Sequence, residues 1–180
     1  MLPPGHFAAG YLLAEGVIAV FHPTLSTSQT NWFLFSGGFF GFAPDIDMFY
    51  GFWKEKGLRH TGKNFTHRAF VTHTPLFWFI LGGSLLLFAP TTFIRLLGLL
   101  LWLAPWSHLL LDSMNTGVRW LYPFNKKFYA FKNPGIEIPN KARGFFNHWW
   151  NLLKHYYQLA PLTFWTEVML VAIALYIFFR

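Results

Sequence analysis

The sequence predicts an all-α polytopic membrane protein of about five transmembrane helices, with an additional interfacial amphipathic helix. Three observations carry that expectation. The 180 residues are 54% apolar and 22% aromatic but only 12% charged, against about 25% charged in soluble domains. Five apolar stretches recur along the chain, and none alternates with the period of two that a membrane barrel requires. Finally, 12 of the 14 Lys and Arg residues fall in two segments, 51–74 and 113–161, which is the asymmetry expected of loops on one side of a bilayer.

Taken in order, the first stretch is Phe7–Phe21, broken by Glu15, and the second is Trp32–Ala43, rich in Phe and Gly and stopped by Pro44. The third, Leu76–Ala89, has 14 residues and covers only about 21 Å of a hydrocarbon core about 30 Å thick, so its flanks must contribute if it spans. Phe93–Leu111, with Arg95 near its start, and Leu162–Phe179 complete the set. Between the last two, 142–158 mixes Lys and Arg with Phe145, Phe146, Trp149, Trp150, Tyr156 and Tyr157. That composition suits a helix lying at headgroup level, the plainer alternative being a short soluble helix packed on the loops. One domain covers 1–180, with a motif-bearing region 1–125, a basic aromatic segment 126–161 and a last span 162–179.

No Lys or Arg precedes Lys54, so the N-terminus lacks the basic region of a signal peptide and reads as mature sequence. With five spans the two basic segments share a side, which the positive-inside rule places in the cytoplasm together with the N-terminus. The formal charge of +7 is then mainly topology. Membrane lipids are the expected partners, no nucleic acid is expected, and nothing in the pattern fixes an oligomeric state. The chain has no cysteine, which excludes disulfides, thiolate nucleophiles, iron–sulfur clusters and cysteine-held zinc. A bound metal must rest on nitrogen and oxygen.

The three Asp residues, Asp45, Asp47 and Asp112, all lie where a span meets the basic side, and His6, His67, His73 and His108 lie at the same boundary. The beginnings of spans one and three and the ends of spans two and four meet there. His108 and Asp112 are four apart and share a helical face, suited to grip one ion or to hydrogen-bond each other. Asp45 and Asp47 diverge on a helix but point the same way in an extended turn, for which Pro44 provides an interruption; capping is the plainer reading. His67 and His73 need a helix start between them, for which Thr72, Thr74 and Pro75 are suited. Seven such donors exceed the needs of one tetrahedral ion, so two or more divalent ions are expected, zinc first, then manganese or iron. Metals held this way activate water and stabilise charge on a phosphoryl or carbonyl oxygen. Arg68 is placed to clamp an anionic group, and Asp45 or Asp47 to act as base. Glu15 and Glu167 lie inside spans. Glu167 reaches the site behind a ligand or joins it, while the plainer reading pairs each acid with a Ser, Thr or Tyr of the bundle.

Gly5-His6, Pro44-Asp45-Ile46-Asp47, His67-Arg68 through Thr72-His73 and His108-Leu109-Leu110-Leu111-Asp112 resemble the YdjM-like family of membrane-bound metal-dependent hydrolases. Thr116-Gly117 and Leu121-Tyr122-Pro123 resemble it too, whereas Thr74 stands where that family would have Ser. The resemblance covers about residues 1–125. It implies a multi-pass protein of the bacterial inner membrane. Through a more distant similarity to zinc-dependent phospholipase C and its related nucleases, it also implies hydrolysis of a phosphoester, of a lipid or lipid-linked phosphate. The rival expectation is a metal-ion or proton transporter built on the same cluster, which would need polar residues continuing through the bilayer.

Overall fold

The computed structural model describes residues 2–47, 70–114, 117–131 and 160–180, with positions 150, 153, 154 and 158 between them. Five long helices run through these residues: α1 (Pro3–Phe21), α2 (Thr27–Phe42), α3 (Pro75–Phe88), α4 (Thr92–Asp112) and α5 (Pro161–Phe178). Among the described residues there is no strand, only an isolated antiparallel bridge between Val118 and Tyr129. The expected interfacial helix over 142–158 lies outside the described residues, apart from those four positions.

Each helix begins where local chemistry starts it. Proline occupies the first turn of α1, α3 and α5, where its missing N–H costs nothing and its φ is already helical. A capping box opens α2: Gln29 N donates to Ser26 Oγ and Ser26 N to Gln29 Oε1, satisfying two otherwise orphaned donors. Thr91 Oγ1 accepts from Ile94 N at the start of α4. These signals explain why α1 and α2 start at Pro3 and Thr27 rather than at the first large apolar residues, Phe7 and Trp32.

Three helices, α1, α4 and α5, are long and apolar enough to cross a membrane. α2 has 16 residues and α3 has 14, the latter about 21 Å long. Short connections at 22–26 and 89–91 fold α1 against α2 and α3 against α4. Glycine lets both pairs approach to backbone contact. A Cβ on Gly37 would lie 2.6 Å from Gly10 O, and one on Gly82 would lie 2.6 Å from Gly98 O. In lipid, where apolar surface alone does not drive helices together, such small-residue seams provide the packing.

Ala14 and Val17 of α1, Phe33 of α2 and Leu96, Leu100 and Ala104 of α4 form a buried core. α5 packs on α1 through Ala8, Tyr11 and Ala174. Pro105 lies inside α4 without ending it, as membrane helices tolerate. The start of α1, the end of α2, the start of α3 and the end of α4 meet at one end of the bundle.

Candidate metal centre

At that end, α2 tightens into a 3₁₀ turn, Ala43–Asp45, closed by Ile46 N donating to Ala43 O, and the chain stays helical through Asp47. This corrects the expectation of an extended turn after Pro44, because a tightened last turn accommodates the proline without breaking the helix. A second 3₁₀ turn, Val71–His73, precedes α3. Thr74 Oγ1 donates to Val71 O and Trp78 Nε1 to Thr72 O, fixing the turn that carries His73.

His6 comes from the first turn of α1, and His108 and Asp112 from the last two turns of α4. His6, His73 and His108 are fully buried, and Asp45, Asp47 and Asp112 nearly so. His6 and His108 stack with ring centroids 3.6 Å apart, and His73 meets His108 edge-on at 5.4 Å.

The hydrogen bonds assign a proton to one nitrogen of two of these rings. His108 Nδ1 lies 2.9 Å from Gly41 O, and a carbonyl only accepts, so Nδ1 carries the proton. Nε2 then presents its lone pair 3.6 Å from Asp45 Oδ1 and 3.9 Å from Asp112 Oδ2, with no hydrogen bond. His73 Nδ1 donates to Asp47 Oδ2 at 2.8 Å, with Nε2 3.5 Å from Asp45 Oδ1. Thr72 Oγ1 also donates to Asp47 Oδ2. Asp45 and Asp47 therefore face opposite nitrogens of one imidazole. His6 Nε2 lies 3.4 Å from Asp112 Oδ1, and neither His6 nitrogen makes a hydrogen bond.

A lone pair facing buried carboxylate oxygens, as at His108 Nε2, is repulsive unless a proton or a metal cation lies between them. The spacing fits a metal: donors about 2.0–2.1 Å from a tetrahedral zinc are about 3.3–3.5 Å from one another, and the four contacts above run from 3.4 to 3.9 Å. Two triads could each hold a metal ion, His6–His108–Asp112 and Asp45–His73–His108, with every donor in a triad within 4.8 Å of the others. Both histidines with an assigned proton direct it away from the cluster, to a carbonyl or a carboxylate, the usual outer support of a metal-binding imidazole.

The charges follow from the same geometry. Burial pushes the His73 imidazole down, but its hydrogen bonds to Asp45 and Asp47 outweigh that and it is pushed up to about 9. Burial pushes the Asp45 carboxyl up, but the hydrogen bond with His73 holds it well below the usual carboxylate range. With the centre free of metal, His73 is thus an imidazolium between two carboxylates.

Of the residues expected from sequence, the structure brings together His6, Asp45, Asp47, His73, His108 and Asp112. Asp47 stands behind His73 rather than in either triad. His67 and Arg68 lie outside the described residues. Glu15 accepts a 2.9 Å hydrogen bond from the hydroxyl of Tyr11 one turn away, the plain pairing expected. Glu167 departs from that expectation: it accepts from the backbone amides of Leu2 and Gly5 at 3.2 and 3.3 Å. It caps α1 from another helix, in a gap that requires Gly5, because a Cβ there would lie 2.7 Å from Glu167 Cγ. Gly41, whose carbonyl orients His108, and Thr72, which supports Asp47, were not among the expected site residues. A backbone carbonyl leaves no trace in sequence, whereas Thr72 stood beside His73.

A family model described as YdjM inner membrane protein matches residues 1–180, extending past residue 125, where the motif resemblance stopped. No curated protein and no solved structure matches the chain.

Proposed function

The chain belongs to the YdjM inner membrane protein family, and on that premise we propose that it is a membrane-bound metal-dependent hydrolase. In this reading it cleaves a phosphoester, of a lipid or lipid-linked substrate, at the cytoplasmic face of the bacterial inner membrane. The observation that carries the reading is His108: its Nδ1 is committed to Gly41 O, and its Nε2 is aimed, unbonded, at two buried carboxylates.

Asp45, His73, His108, Asp112 and His6 would hold the metal. The mixed imidazole and carboxylate donors favour zinc, then manganese or iron. Because His108 offers one nitrogen, two ions cannot share it. A two-ion centre pairs Asp45, His73 and His108 around one ion and His6 and Asp112 around the other, with His67 the further donor expected from sequence. Such an ion, when bound, supplies Lewis acidity toward a phosphoryl oxygen and acidifies water.

The chain's own groups supply the rest. Asp47 and Thr72 lock the orientation of His73. Where Asp45 does not hold the ion, it is the carboxylate that takes a proton from attacking water, with Asp47 the alternative base, and Arg68 is the candidate clamp for substrate charge. In this reading α2 and α3 cross the bilayer as the short partners of α1 and α4, giving five spans with the basic segments in the cytoplasm.

The transporter alternative has less support. It needs polar groups continuing through the bundle, whereas Glu15 is engaged by Tyr11 within its own helix. The test offers zinc- or manganese-loaded protein a soluble phosphodiester and phospholipid vesicles, with His108→Ala and chelated protein as controls. Metal-dependent release of a phosphate monoester, lost in both controls, supports the reading. A loaded wild-type protein inert toward every phosphoester offered contradicts it.

A further inference from the structure

Beside the metal centre, the segment after α4 folds back and is stitched to the end of that helix. Gly117 N donates to Asp112 O at 3.4 Å and Phe131 N to Ser113 O at 2.7 Å. Trp120 Nε1 donates to Ser113 Oγ at 2.8 Å, while Ser113 Oγ itself donates to Leu109 O. Val118 and Tyr129 exchange both backbone hydrogen bonds across the bridge. Between this ribbon and α4 lies a pocket of about 570 Å³, walled by Leu110, Ser113, Trp120, Leu121, Ala130 and Phe131 together with the Tyr129 ring. That volume lies within the range of about 300–1,000 Å³ typical of small-molecule sites.

The chemistry of the wall selects its ligand. Of its two hydroxyls, that of Ser113 is engaged by Leu109 O and Trp120 Nε1 and that of Tyr129 accepts from Asn125 Nδ2, so the pocket offers little to a polar molecule. Leu110, Leu121 and Phe131 remain exposed beside it, Phe131 by 72%. A cation stands beside this wall: Lys127, exposed, has its Nζ 5.9 Å from the centre of the Tyr129 ring, and the neighbouring Lys126 is exposed as well. No acid occurs in 117–131. An apolar seat with cations beside it, at the end of a helix long and apolar enough to span, complements a molecule with a hydrocarbon chain and an anionic head.

We infer that this pocket seats one acyl chain of a membrane phospholipid, with the lipid phosphate held by Lys127. Ser113, in the wall, directly follows the candidate ligand Asp112 in the chain, so the pocket and the metal centre share the last turn of α4. The role of the pocket in turnover rests on the hydrolase reading; the binding itself does not.

The test uses full-length protein in nanodiscs of phosphatidylglycerol and phosphatidylcholine, doped with a phospholipid carrying a photoreactive diazirine on its acyl chain. Peptide mapping should find crosslinks concentrated at Trp120, Leu121 and Tyr129–Phe131, above the background on lipid-facing positions of α5 such as Met169. Filling the pocket with Ala130→Trp, or separately with Leu121→Trp, should lower pocket labelling about tenfold, the effect of withdrawing about 60 Å² of apolar contact. Labelling of α5 should not change, which also reports that the variants are folded. Even labelling over all apolar surfaces, or pocket labelling unaffected in a variant that retains α5 labelling, would overturn the inference. Failure of the hydrolase reading appears separately, as wild-type protein that takes up metal, labels in the pocket and cleaves nothing.

Discussion

His6 and His108, 102 positions apart in sequence, stack face to face with their ring centroids 3.6 Å apart and their planes within 23° of parallel. Each ring turns its Nε2 toward a different oxygen of Asp112, at 3.4 and 3.9 Å respectively. One carboxylate at the end of α4 thereby joins the first helix of the chain to the fourth. His108 belongs to both candidate triads and His6 to one, an asymmetry with measurable consequences.

Replacing His108 by Ala should weaken zinc binding more than replacing His6 by Ala. The His108 loss should exceed the about 10–100-fold typical of outer-shell groups, because it removes a donor from whichever triad is filled. Competition against a chromophoric chelator in detergent gives both affinities. Equal losses would place the ion in the His6–His108–Asp112 triad, and unchanged affinity in His108→Ala would mean that the ion does not use His108.

Asp47→Ala should behave as the removal of an outer support. His73 would lose the acceptor for its Nδ1 proton, lowering metal affinity about 10–100-fold without abolishing binding. Asp47→Asn retains an oxygen acceptor at that position and should recover part of the loss. Complete loss of metal in Asp47→Ala, in a protein still helical by circular dichroism, would instead place Asp47 among the ligands.

Metal affinity should rise with pH. His73 is held up to about 9 in the metal-free centre, so an ion taking its Nε2 near neutral pH must displace a proton. Apparent affinity should climb by up to about tenfold per pH unit from 7 toward 9 and then flatten. Calorimetry in buffers of different ionisation enthalpy should register the released proton, and a flat profile would mean that His73 is not a ligand. In the metal-free protein the same group acts in the opposite direction. A raised histidine stabilises the fold fully below its unfolded value near 6.5, and that contribution is lost as pH rises through about 9.

Glu167→Ala removes a cap supplied by α5 to the start of α1. The cost should be about 0.5–2 kcal/mol, the range for helix caps, with Glu167→Gln restoring only part of it, because Leu2 N and Gly5 N use different carboxylate oxygens and Gln keeps one acceptor. Thermal melts of both variants in the same detergent check this. Identical melting of wild type and Glu167→Ala would show that α5 does not hold α1 through this carboxylate.

The helices were legible as apolar runs, but the starts of α1 and α2 were not, because Pro3 and the Ser26–Gln29 box begin them ahead of the first large apolar residues, Phe7 and Trp32. The gathering of His and Asp at one end was legible because these residues stand at the ends of the apolar runs. Finer geometry was not. A spacing of two does not reveal that Asp45 and Asp47 face opposite edges of the His73 ring, because that depends on how the 3₁₀ turn packs against its neighbour. Glu167 looked like an acid in search of a hydroxyl; its partners are backbone amides 162 and 165 positions away, and amides have no sequence signature. The same holds for Gly41, which matters through its carbonyl and through the absence of a side chain where α1 and α2 touch.

The most direct test of the central claim is bound metal per chain, by elemental mass spectrometry on protein purified without chelator and offered zinc or manganese. Wild type and Glu15→Gln should each carry about one equivalent or more, and Asp112→Ala and His108→Ala should fall to about a tenth of that or below, while remaining helical. Wild-type protein with no stoichiometric metal under these conditions, or variants that bind as much as wild type, would contradict a metal centre built on His108 and Asp112.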